Sequence, residues 1–220
     1  SDYGDYNATM SAEVRFIRAL NYYYLLDEWG NVPFTTAISS TKPPRIKRAD
    51  LYKWLVGELK EIEQGLNEPQ PKVSSTQGYG RVDKAAAWLL LARLYMNAEV
   101  YTGTADWADA KTYAKKVIDS PYKLYTAKKG QWSAYQQLFM GDNGENGSSV
   151  EAIFPILQDG KKTTSWGTTL FLMAGCNDNK ERVKSATEKG NNTTEGWAGN
   201  RMRPDLVQKF FPNNDAPNIS

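Results

Sequence analysis

Apolar residues recur at helical spacing through four segments of the first 120 positions. The first spans residues 11–28, where Phe16, Ile17, Leu20, Tyr24 and Leu25 form the pattern behind Ser11, a helix-capping residue type. It carries three consecutive tyrosines, Tyr22, Tyr23 and Tyr24, and stops at Trp29-Gly30-Asn31-Val32-Pro33. The second spans residues 50–66, after the Lys42-Pro43-Pro44 connection. Its stripe of Leu51, Leu55, Leu59, Ile62 and Leu66 steps by 4, 4, 3 and 4, with Lys60 and Glu61 on the wet side, and Asn67-Glu68-Pro69 ends it. The third follows Gly78-Tyr79-Gly80 and covers residues 83–100, with Asp83 near its cap and Ala85, Ala86 and Ala87 small enough for a close neighbour. The fourth spans residues 106–118, with Trp107, Ala110, Ala114 and Val117 on one face and Ser120-Pro121 closing it.

Helices of these lengths predict pairs, and the third matches the first helix of a tetratricopeptide unit. That pattern asks for Trp-x2-Leu-Gly-x2-Tyr, the small residue letting the partner helix approach. The chain has Trp88, Leu91, Ala92 and Tyr95 at those spacings, with alanine in place of glycine. The fourth helix supplies the small positions of a second helix, and Pro121 stands near the expected terminal proline. Ala19 and Tyr22 repeat the small-x2-Tyr element 73 residues earlier. Two divergent tetratricopeptide-like pairs follow.

Past Lys128 the texture changes. Tyr135 to Met140 is long enough for one or two helical turns, and the run Gly141-Asp142-Asn143-Gly144-Glu145-Asn146-Gly147 reads as a loop. Residues 150–157 read as a short strand or extended segment. From residue 159 to 199 the chain is rich in Gly, Asn, Thr and Lys, with Trp166 and Trp197 set in it. A last helix follows Arg203, with Pro204 at its first position and Leu206, Val207, Phe210 and Phe211 apolar. The predicted class is mainly α with little β: a helical-repeat scaffold over residues 1–125 and a loop-rich, irregular ligand-binding part over 126–220.

Composition removes whole classes of chemistry. Histidine is absent, which excludes Ser-His-Asp and Cys-His catalysis and histidine metal sites in this chain. Cys176 is the sole cysteine, so there is no intrachain disulfide and no cysteine-rich zinc site. Net charge is +2 with both signs interspersed, no basis for nucleic acid as a partner. No run of about 18 apolar residues occurs. Aromatics are abundant, at seven Trp, thirteen Tyr and seven Phe. Such a supply suits a protein that stacks flat ligands.

Trp166 lies among small hydroxylated residues, Thr163-Thr164-Ser165-Trp166-Gly167-Thr168-Thr169. A flat apolar ring bordered by hydrogen-bonding groups is what a sugar needs, its C–H face stacking while its hydroxyls find partners. The competing reading folds Trp166 back onto Phe171 and Leu172. Trp197, Trp132 and Tyr125 carry the same two readings, and Trp29 and Trp54 are assigned to the scaffold. Asp142, Glu145 and Asp159 are the loop acids left for paired-carboxylate catalysis, without recognisable spacing. Asp142-x-Gly144-x-Asn146 has the start of a calcium loop but not its closing acid.

In order along the chain, several motifs resemble the RagB/SusD (SusD-like) family. They are Ala12-Glu13-Val14-Arg15-Phe16-Ile17-Arg18-Ala19 with Tyr23, Asp27 and Gly30-Asn31-Val32-Pro33-Phe34; Arg48-Ala49-Asp50-Leu51-Tyr52; Gly80-Arg81-Val82 with Lys84 and Ala86-Ala87-Trp88; Leu91-Ala92-Arg93-Leu94-Tyr95; and Glu151-Ala152-Ile153-Phe154. The resemblance implies a cell-surface, lipid-anchored glycan-binding protein of Gram-negative gut Bacteroidetes. Such proteins pass oligosaccharides, uncleaved, to a SusC-like TonB-dependent transporter of the outer membrane. It also implies that this chain is a middle portion, without the anchor cysteine and the C-terminal region. The stretches around Trp166 and Trp197 look most like the starch-binding branch. No catalytic residue, metal or cofactor is implied. The expected glycan contacts are Trp166 with Tyr125, Trp132 or Trp197 stacking on sugar rings, and Asn143, Arg201 or Lys128 supplying hydrogen bonds. A tetratricopeptide-type adaptor for protein, without glycan binding, is the alternative.

Overall fold

The structure is a computed structural model that describes residues 7–157, 203–213 and 215. It divides into two compact units, Ser1–Ile156 and Leu157–Ser220. Residues 126–156 fall in the same compact unit as the helical scaffold.

Helix α1 (Ala8–Trp29) starts one turn earlier than the sequence suggests, because Asn7 and not Ser11 caps it, its side chain accepting from the Met10 N–H at 2.9 Å. Ala12, Phe16, Ala19, Tyr23 and Leu26 are its buried stripe. Tyr24 and Ile17, expected on the apolar face, are exposed instead. Helix α2 (Arg48–Ile62) buries Leu51, Leu55, Leu59 and Ile62 as its spacing predicts and runs on into a 3-10 turn, Glu63–Gly65. That turn nearly touches α1. A Cβ on Gly65 would lie 3.0 Å from the Ala12 side chain and 3.3 Å from the Ala8 carbonyl oxygen. Between α1 and α2, Phe34 N–H donates to Pro44 O and Ile46 N–H to Val32 O, so the proline-rich connection closes on itself.

Helix α3 (Lys84–Met96) is capped by Asp83; the chain breaks at Asn97, resumes as α4 (Ala98–Thr102) and continues through α5 (Trp107–Asp119). The expected single helix over 83–100 is thus two. Helix α1 packs on α2 and α3 on α5, with α2 also touching α3 and α4. These are the two tetratricopeptide-like pairs. Ala19, Leu91 and Ala92 are buried where the helices meet, and Tyr95 stacks on Tyr113 with centroids 5.6 Å apart. The Trp88 indole N–H donates to Glu63 Oε1 at 2.7 Å, and Lys116 lies over both Trp88 and Tyr113. Trp107, expected on the packing face of α5, is exposed, since Tyr113 fills that role. Tyr22 packs with Phe34 and Trp54 in an aromatic cluster, which confirms Trp54 as scaffold. Trp29, also assigned to the scaffold, is 65% exposed.

Charged groups pin α1 to its neighbours. Arg15 donates to both Glu58 oxygens, at 2.9 and 2.6 Å, and to Glu61, while Arg18 reaches Glu58 Oε1 at 2.6 Å. Arg81 grips Glu13 with two guanidinium nitrogens. The phenol of Tyr101 donates to Asp27 at 2.6 Å.

Residues 150–157 are not a strand: a 3-10 turn, Ser148–Glu151, leads into irregular backbone. Among the described residues β structure is limited to three isolated bridges. Phe154 nevertheless returns to the scaffold, edge-on to Phe16 at 5.6 Å. Between α5 and this return lies α6 (Ala134–Gln137). In the second unit, α7 (Pro204–Phe210) begins on Pro204 as expected, with Leu206, Phe210 and Phe211 exposed. No described helix is long and apolar enough to cross a membrane.

Candidate functional site

Four of the seven expected glycan-contacting residues fall in one segment, residues 122–151, so its construction decides what they can do. It leaves the scaffold at Tyr122, whose buried phenol donates to Asp83 Oδ2 at 2.7 Å. Asp83 is fully buried and also accepts from the Ala85 N–H, which caps α3, and from the Gln70 N–H at 3.2 Å. One carboxylate thus ties the extended run at 70, the start of α3 and the exit from α5 together. Burial, with the Asp83 carboxylate adding to it, pushes the Tyr122 phenol above the usual tyrosine range, so it remains a donor.

Three residues on, the Tyr125 N–H donates to Glu151 Oε2 at 2.7 Å. Its ring lies against Gly147, where φ is +100° and an added Cβ would meet the phenol at 3.5 Å. Tyr125 is consequently a half-buried packing residue joining both ends of the segment. Its hydroxyl reaches Gln137 Oε1 at 3.4 Å.

Gln137 is the centre of the segment and is fully buried. Its Nε2 donates to Ala127 O at 2.8 Å and to Ser133 O at 3.4 Å, while its backbone oxygen accepts from Asn146 Nδ2 and Ser148 Oγ. A buried amide with both ends engaged fixes its surroundings, because releasing any partner leaves a polar group unpaired. Ser133 and Gln136 form a capping box that starts α6. In front of it, Lys129 and Trp132 exchange both backbone hydrogen bonds around Gly130-Gln131, a tight hairpin.

This frame holds its aromatics outward. Trp132 is 44% exposed, Tyr135 71% and Phe139 72%. Tyr135 and Phe139 meet edge to face, with centroids 5.1 Å apart and planes at 62°. Lys128 is exposed beside the hairpin. Asn143 is exposed at the far end of the turn, its Nδ2 donating to Leu138 O at 2.9 Å. Lys128, Trp132 and Asn143 therefore belong to one surface-facing turn, with Tyr125 supporting it from behind. Trp166, Trp197 and Arg201 lie outside the described residues, as does Asp159.

The Asp142–Asn146 turn is closed by its own hydrogen bonds. Asn146 Nδ2 donates to Asp142 Oδ1, and Asn146 Oδ1 accepts from the Ser148 N–H and hydroxyl. Among the described residues no three Asp, Glu or Cys side chains converge as metal ligands would. Tyr135 and Phe139 were not among the sequence candidates. Their signal was the 3 and 4 spacing of Trp132, Tyr135 and Phe139, too short a stripe to stand out by period.

Comparison with known proteins gives this arrangement its relatives. The chain is 45% identical over 203 residues to the starch-binding protein SusD of Bacteroides thetaiotaomicron, a match covering 92% of the chain and 33% of that protein. This stretch is SusD-like. A SusD-like protein of Bacteroides ovatus is 28% identical over 152 residues, 64% of the chain and 25% of that protein. The chain thus spans a third or less of the length of the curated relatives it matches. Two crystal structures of SusD-like proteins from Bacteroides fragilis share the fold. One has a TM-score of 0.55 and 19% identity over 79% of this chain and 30% of its own; the other has 0.53 and 20% over 72% and 32%. No family model matches. The SusD-like helical-repeat scaffold ends, in this chain, by presenting the 122–151 turn.

Proposed function

We propose that this chain is the scaffold and part of the ligand surface of a non-catalytic glycan-binding protein. In this reading it sits on the outer surface of the outer membrane, held by a lipid anchor, and passes oligosaccharide to a SusC-like TonB-dependent transporter. The glycan is a starch-type α-glucan. The observation that carries the reading is 45% identity with starch-binding SusD across nearly the whole chain. The outward aromatic turn supports it, since flat apolar faces beside polar side chains are what sugar rings require.

Within residues 122–151, Trp132 provides a stacking platform, Asn143 and Lys128 provide hydrogen bonds, and Tyr125 acts by holding the turn; Trp166 and Trp197 keep their expected role as platforms and Arg201 as a hydrogen-bond donor. Affinity electrophoresis in gels containing amylopectin, pullulan, dextran, xylan or pectin tests the reading, with the first two expected to retard the chain. Trp166→Ala should abolish that retardation while leaving the thermal midpoint nearly unchanged. Lost folding with undiminished binding per folded molecule would sink Trp166 as a platform. No reducing sugar should be released.

The protein-adaptor reading has an observation of its own. Met10, Val14, Ile17 and Tyr24 stand exposed on α1 at steps of 4, 3 and 7, an apolar stripe of the kind that meets another helix. Capture of a polypeptide partner by a chain that ignores every glycan would favour it.

A further inference from the structure

The turn around α6 has an inside and an outside of opposite character. Inside is Gln137, whose side chain and carbonyl are engaged at five hydrogen-bond contacts. Outside are Tyr135 and Phe139, about 70% exposed, with Trp132 one step before them. A turn held this firmly has no need of two aromatic rings in water, and leaving them there forgoes the benefit of burying them. Exposed aromatic clusters on rigid supports mark places where something binds.

We propose that Tyr135 and Phe139 form a further sugar-stacking subsite, a corner that selects a curved glycan chain over a flat one. The proposal rests on the glycan-binding reading above and names a part of that surface which the sequence did not. The corner is continuous with the candidate site. Trp132 closes the hairpin leading into it, and Asn143 is hydrogen-bonded to the carbonyl of Leu138, between the two rings' turn and the following loop.

Its shape sets the ligand class. With planes at 62° and centroids 5.1 Å apart, the two rings cannot both lie flat under one straight ribbon. A β-1,4-linked chain, whose sugar faces stay nearly coplanar, stacks on one ring and is fended off by the other. An α-1,4-linked chain turns at each unit and offers its C–H faces in changing directions, so neighbouring units rest on both walls. Gln136, whose Oε1 is committed to Ser133, and Asn143, whose Nδ2 is committed to the Leu138 carbonyl, keep their remaining amide groups for sugar hydroxyls.

The test compares the 220-residue chain with its Tyr135→Ala/Phe139→Ala variant in gels of amylopectin and of hydroxyethylcellulose. The expected result is about a tenfold loss of amylopectin affinity, the scale of two lost aromatic contacts. Thermal midpoint should not move, and Tyr135→Phe should keep most of the affinity. Unchanged amylopectin binding by the double variant, where the parent binds and Trp166→Ala does not, overturns the subsite alone. A loss confined to hydroxyethylcellulose overturns the curved-chain assignment. A drop of more than about 3 °C in the midpoint, the mark of lost packing in a chain of this size, shows the rings to be structural and also overturns it. A parent that binds no glycan in any gel removes the glycan reading and this subsite with it.

Discussion

The helical pairs and the 122–151 turn are built on opposite plans. In the pairs, leucines, alanines and tyrosines face inward and the charges lie toward the rim, bridging one helix to the next. In the turn, Gln137, Ser148 and Ser149 are buried and the large aromatics face out. The first plan derives its stability from removing apolar surface from water, which is nondirectional and tolerates adjustment. The second relies on hydrogen bonds, which weigh less in net stability but fix orientation. A surface that must present rings at set angles benefits from the second plan. It keeps its apolar groups free while its backbone stays ordered.

The contrast predicts unequal responses to substitution. The largest effect should come from the pairs: Leu91→Ala, at a fully buried position, is expected to lower stability by about 3 kcal/mol in urea unfolding. A cost under about 1 kcal/mol would show that the α3–α5 contact is not the main core. Next comes the polar interior of the turn. Gln137→Leu preserves volume but strands the Ala127 carbonyl and the Tyr125 hydroxyl, and should cost about 2 kcal/mol. Its specific mark is faster amide exchange at Phe139 and Met140, with α3 amides unaffected.

The third effect separates the rim from the core. Hydrogen bonds from Arg15 hold the Glu58 carboxyl below its ordinary value, Arg18 adding to them and burial opposing. The contribution to stability is complete above the ordinary value of 4.5 and is lost as pH falls from there through the lowered value. Glu58→Gln should therefore cost about 1 kcal/mol at pH 7, allowing for the solvent access of both arginines, and nothing at low pH. Equal losses at pH 7 and pH 3 would point to packing instead. The smallest effect is expected at Tyr24, where Tyr24→Gln should change stability by no more than about 0.5 kcal/mol. A larger loss would mean the outer face of α1 is occupied.

The two plans also explain what could be read from the sequence. The α2 stripe was legible because Leu51, Leu55, Leu59 and Ile62 face one way and polar residues the other. In α1 the apolar residues surround the axis, so period alone did not separate buried Tyr23 from exposed Tyr24 or Ile17. Trp107 was misplaced for a similar reason: Tyr113, two turns later, stacks on Tyr95 and takes the inward position. The turn was the least legible part. Its order depends on one buried glutamine answering five residues spread from Tyr125 to Ser148, and no periodicity encodes that. Tyr125 illustrates the result, a residue of ligand-binding type that serves as support. Trp166, Trp197 and Arg201 keep their sequence assignment as proposals.

Asp83 joins the two plans, and its position has a kinetic meaning. The same carboxylate that begins α3 receives the phenol from which the aromatic turn departs. The turn's attachment is therefore not free to open by itself: to let go of Tyr122, the side chain that caps α3 must lose one of its donors. In native-state exchange the amides of Ala85 and Tyr125 should open in one cooperative unit. A display surface of this sort inherits the lifetime of the repeat beneath it, and stays in register for as long as the helices do.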